Sequence, residues 1–206
     1  MSEDWEDENG DRKPSDSEFG LPRVQDVLNY RKVAIAVVAT YVGLDEAFIE
    51  AVLADQMDEY LHDQAWVREE MRETRYHDYL NLLSREIIVR YAATAAETLV
   101  ASPESPMASG RVMGDTGVLG LSDDVNAVMR VHEIFEFLES PDGGDEAEQI
   151  LLLCKRQLCN YYNACAFDLV KKQLLSVIIS GAEELYRNGN LSAARVRELV
   201  IAAENV

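Results

Sequence analysis

The sequence predicts an all-α protein: a bundle of about six helices around a long apolar helical element, with a disordered acidic N-terminal tail. Three observations predict it. Apolar residues recur every three or four positions over most of the 206 residues, no stretch alternates as a half-buried strand would, and Gly and Pro gather at a few loop-like sites. No repeat of fixed period is visible.

The long element covers residues 146–186 and contains no proline. Ile150, Leu153, Leu158, Tyr161, Cys165, Leu169, Leu174, Ile178 and Leu185 step along it at helical spacing, and Leu151, Leu152, Val170 and Val177 widen the stripe. A helix apolar around most of its circumference is buried on several sides, so this element is expected to be the core of the fold. As one straight helix it would reach about 60 Å, so a break is expected at Gly181 or between Asn160 and Asn163. Lys155, Arg156, Lys171 and Lys172 interrupt it too often for a membrane span.

In chain order, residues 1–20 hold two aromatics and no aliphatic run, and burial of so little apolar surface does not offset the entropy of ordering. Trp5, among acids in Glu-Asp-Trp-Glu-Asp-Glu, is a candidate anchor for a basic groove, set against the plainer reading of a solubilising tail. Pro22 suits a first helical turn, and the apolar pattern runs from Val24 to a stop at Gly43, with residues 33–42 apolar except for Thr40. Asp45 then stands where an N-cap belongs, bracketed by Leu44 and Ile49 as a hydrophobic staple. The helix it opens is expected to bury Ile49, Leu53, Met57 and Tyr60.

That helix is rich in acids, and no Lys or Arg occurs between Lys32 and Arg68. Asp55, Asp58, Glu59 and Asp63 are candidate partner-binding residues, set against a merely solvated acidic face. A further helix is expected over about 66–100, ending in an alanine-rich stretch that permits close packing. Residues 101–121 carry two prolines and four glycines and read as a flexible loop. A single helical domain over 21–206 is therefore divided into halves 21–100 and 122–206. Ser122 is a candidate cap for a helix with Val125, Val128, His132, Phe135 and Leu138 inward. Beyond the long element, Asn-Gly-Asn at 188–190 reads as a turn, and Ser192 with Leu191 and Val196 as a second cap and staple before a terminal helix.

Composition limits the function. There are 38 acidic and 19 basic side chains, a net charge of −19, spread as −6 over 1–20, −7 over 21–121 and −6 over 122–206. Phosphate binding draws on clustered Lys and Arg, so no direct nucleic-acid ligand and no anionic membrane surface is expected. A protein partner with a basic surface, or self-association into a homo-oligomer, fits better. The N-terminus lacks the pattern of a secretory signal, and three cysteines without paired spacing read as reduced, so a cytoplasmic protein is expected, cellular or viral in an infected cell.

Catalytic signals are incomplete. Glu59 and His62 have the i, i+3 spacing of di-metal bundles, but Met129 stands where a second copy before His132 would need an acid. His62-Asp63 and His77-Asp78 suggest a metal-dependent hydrolase, yet no histidine precedes His62 to complete the ligand set. Cys154, Cys159 and Cys165 lack zinc or redox spacing, and no phosphate loop, dinucleotide fingerprint or nucleophile elbow occurs. The expectation is therefore no catalytic residue, cofactor or metal. The leading reading is a non-catalytic helical interaction module, adaptor or assembly subunit. The alternatives are an acidic inhibitor mimicking nucleic acid and, more weakly, a small metal-dependent hydrolase.

Overall fold

A computed structural model describes residues 24–101, 121–135 and 145–204. The expectations for the acidic tail with Trp5, for Leu138, and for most of the loop at 101–121 fall outside these residues. The described residues are helical with short connections, and no strand occurs among them. The helices are α1 (Val24–Tyr41), α2 (Glu46–Leu53), α3 (Met57–Thr74), α4 (Tyr76–Ala101), α5 (Leu121–Phe135), α6 (Asp145–Leu169), α7 (Leu175–Asn188) and α8 (Ala193–Glu204). A π-helical turn, Val170–Leu174, joins α6 to α7.

The helix at the centre is α1, which corrects the expectation that residues 146–186 form the core. Seven consecutive residues of α1, from Val33 to Ala39, are buried, and α4, α7, α2 and α8 pack around them. Val, Ala and Ile make this possible: short or branched at Cβ, they let neighbouring helices approach from every side. Burying one such Val or Ile side chain contributes about 1.5–3 kcal/mol. Of the long element, only the second half joins this core, through Val170, Leu174, Val177, Ile178 and Ala182.

α4 is the wall between two apolar clusters. Val89, Ala92, Ala93 and Ala96 face the α1 cluster, whereas Ile87 and Tyr91 meet Ala127 and Val131 of α5 and Cys159 and Ala166 of α6. Alanines on one flank let α4 lie close to α1, as the sequence suggests.

The local signals are honoured where they are self-contained. Gly43 takes φ 75° and Leu44 donates its N–H to the Ala39 carbonyl, closing α1. Asp45 Oδ1 then accepts the Phe48 N–H at 2.7 Å as the N-cap of α2. Gly189, at φ 73°, closes α7. Ser192 Oγ accepts the Arg195 N–H at the start of α8.

Two expected helices are each divided. α2 stops at Ala54, where Asp55 adopts φ 60° and Gln56 donates its N–H to the Ala51 carbonyl at 2.8 Å. Asp is one of the few non-glycine residues to tolerate that conformation, and Lys32 Nζ holds its carboxylate at 2.5 Å. α3 and α4 are separated at Arg75, which breaks the helix expected over 66–100. Conversely, neither Gly181 nor 160–163 interrupts the long element. The π turn changes its phase instead, so that α6 faces α4 and α5 while α7 faces α1. Gly181 serves close approach: a Cβ there would lie 2.8 Å from Val33 Cγ1.

Candidate interaction surface

α6 is anchored along one side only. Lys155, Cys159 and Ala166 are buried, and Tyr162 sends its hydroxyl to Ser84 Oγ of α4 at 2.7 Å. Residues on the other side face solvent. Ile150 is 57% exposed, Leu153 55% and Tyr161 61%, although their spacing had marked them as inward. Leu152 is 58% exposed as well. Two residues turn a helix by about 200°, so exposure of both Ile150 and Leu152 means that this end of α6 stands clear of the bundle on both flanks. On neighbouring α5, Met129 is 58% exposed. Isolated exposed leucines need no explanation, but consecutive ones on a helix end mark a surface that gains from being covered.

An ionic network fixes the helices beneath. Buried Glu86 of α4 accepts from Arg68 of α3 through both carboxylate oxygens, and Arg130 Nε of α5 lies 3.4 Å from the same group. Arg130 also donates to Glu133 at 2.5 Å, and Glu133 accepts the Tyr79 hydroxyl at 2.9 Å. Burial, then the Glu133 carboxylate, pushes the Tyr79 phenol up to about 12. Burial alone would pull the Arg68 guanidinium down, but the Glu86 carboxylate outweighs it and holds the group above its ordinary value. Arg68 Nε is buried without a hydrogen-bond partner. α5 therefore has a defined seat, and α6 packs on it.

The acids of α2 and α3, the candidates Asp55, Asp58, Glu59 and Asp63 among them, divide into two sets. Asp45, Glu46, Glu50 and Asp55 serve the fold: Asp45 caps α2, Glu46 pairs with Arg197, Glu50 Oε1 accepts the Ala193 N–H at 2.7 Å, and Asp55 pairs with Lys32. Asp58, Glu59 and Asp63 are exposed on α3. Trp5 lies outside the described residues, while Trp66 projects from α3. Two open cavities, of about 420 and 600 Å³, share Asn29, Lys32 and Asp55 in their walls.

His62 and His77 are exposed on α3 and α4, and no three His, Cys, Asp or Glu side chains among the described residues are grouped to hold a metal ion. His132, expected inside the α5 stripe, is exposed, and Ala127 and Val131 take the buried positions. Cys159 is buried, and burial pushes its thiol up, away from the reactive thiolate. No helix among the described residues is long and apolar enough to cross a membrane.

The sequence reading missed Ile150, Leu152, Leu153 and Met129 as surface residues. The available signal was their neighbourhood: Gln149, Arg156, Gln157 and Asn160 lie on the same side of α6 as Ile150 and Leu153. In comparison with known proteins, no family model matches the chain, and no curated protein or solved structure matches it.

Proposed function

We propose that the protein is a non-catalytic helical interaction module, an adaptor or assembly subunit, that docks on a partner protein through the N-terminal end of α6. Ile150, Leu152 and Leu153, exposed on a regular helix that is itself well anchored, carry this reading. Protein interfaces are built around a few apolar anchors with a polar rim, and these three residues supply the anchors. In this reading residues 21–206 form one helical domain behind an acidic tail and work in the cytoplasm. The net charge of −19 favours a basic partner.

The test is affinity capture from the native source with wild-type protein and with Ile150→Asp/Leu153→Asp. Both positions are exposed, so the variant is expected to keep the wild-type melting temperature and to lose the captured partner. Retention of the partner at wild-type yield would overturn this reading.

The same charge also suits an acidic mimic of nucleic acid, whose affinity would reside in many carboxylates at once. Asp58, Glu59 and Asp63 are the exposed set to neutralise for that comparison. Capture is expected to survive the triple amide variant, and near-complete loss, with displacement by DNA or RNA, would favour the mimic.

A further inference from the structure

We infer that α3 is a strap that opens as one unit, turning on the breaks at its two ends while the rest of the bundle stays folded, and so uncovers Glu86 and Phe48. Its packing separates it from every other described helix. Over 18 residues α3 contains no buried residue, whereas α2, with eight, buries Phe48, Ile49, Ala51 and Val52. The inner face of α3, with Tyr60, Leu61, Gln64, Val67, Arg68 and Met71 at helical spacing, is only half-buried, and two of these six side chains are polar. α2 and α4, on which α3 lies, each have their own seat on α1. A helix with so little buried apolar surface opens at a lower free energy than the core beneath it.

The ends of α3 are built as hinges. Asp55 has φ 60°, Gln56 φ −112° and ψ 27°, and Arg75 φ −137° and ψ 56°, none of them helical. A few residues at element ends are enough to absorb such a rotation. The neighbouring helices keep their ends without α3: the Gln56 N–H closes α2 on the Ala51 carbonyl, and the Arg75 carbonyl accepts the Asp78 and Tyr79 N–H groups at the start of α4. Two latches hold the strap down. Tyr60 donates its hydroxyl to Asp45 Oδ2 at 3.0 Å and sets its ring edge to face with Phe48, and Arg68 pairs with Glu86. Neither partner depends on the latch, since Asp45 caps α2 through Oδ1 and Glu86 retains Arg130. When α3 lifts, water reaches Arg68 and Glu86 together, so no charge is left buried alone. Arg68 Nε, which has no hydrogen-bond partner in the closed state, gains one.

The experiment is amide hydrogen exchange of the full chain, read residue by residue by NMR. A lifted helix of this length is marginal in water, so its amides exchange once it leaves the bundle. Amides from Leu61 to Arg72 are expected to share one protection level, at least roughly tenfold below that of Leu83 to Ala96 in α4. Two variants separate the strap from the whole. Ile178→Val, in the core beside α1, is expected to lower protection in α1 and α4 by about two- to tenfold and to leave the α3 level unchanged, because that contact persists while the strap is open. Tyr60→Phe keeps the ring on Phe48, removes only the bond to Asp45, and is expected to lower the α3 level by about two- to tenfold.

Protection in α3 equal to that in α4 would overturn the strap, as would a fall in α3 that follows α1 in Ile178→Val, since α3 would then open only with the whole fold. Protection that is highest in the middle of α3 and graded toward both ends would replace the strap by ordinary fraying. An α3 level untouched by Tyr60→Phe would overturn it too, because the Asp45 latch would then hold nothing.

Discussion

Gly181 sets the distance between α7 and α1 by the methyl group it lacks. Val33, whose Cγ1 would collide with an added Cβ, is fully buried and stiff about its χ1 bond, so it has little freedom to retreat. Gly181→Ala is expected to destabilise the protein by about 1–3 kcal/mol, read as a lower denaturation midpoint, despite alanine's better helix propensity. Ser180→Ala, at the exposed neighbouring position, should leave the midpoint unchanged. Tyr79 gives a second residue-scale expectation. Its phenol is raised from the ordinary 10 to about 12, so the fold favours the neutral form. That contribution is complete below pH 10 and is lost as pH rises through 12. Stability should fall over that window, and Tyr79→Phe should flatten the slope.

At the scale of elements, Glu86 ties three helices to one carboxylate. Glu86→Ala would leave Arg68 and Arg130 with no common counter-charge in a largely buried site, and about 3 kcal/mol of stability should be lost in urea titrations. Loosening should concentrate in α3 and α5, which amide hydrogen exchange can locate. Legibility in the sequence follows the same division between local and distant causes. The stop at Gly43, the caps at Asp45 and Ser192 and the turn around Gly189 are decided by neighbours in the chain and were readable. The break at Asp55, whose carboxylate meets Lys32 23 residues earlier, was not. Nor was the rotation of α6: with apolar residues on both flanks, periodicity does not select a phase. Buried Lys155 and exposed Leu153 are the outcome.

For the whole molecule, the all-helical class was legible because every long segment repeats at helical period. The identity of the central helix was not. Residues 33–42 and 146–186 are both strongly apolar, and only the arrangement of the other helices decides which is enclosed. The candidate surface follows from that choice, since the half of the long element not needed around α1 keeps Ile150, Leu152 and Leu153 outside. The central position of α1 also has a consequence for how the chain reaches this structure. α1 packs closely against α7, with Val33 facing Gly181, 148 positions apart (181 − 33). Contacts of such separation are entropically costly to close and slow folding. During synthesis α1 and its partners α2 and α4 are made well before α7 and α8, so one side of a valine- and alanine-rich helix waits uncovered until those last helices emerge. Such a nascent chain is a substrate for chaperones, and chains halted before α7 should aggregate rather than fold.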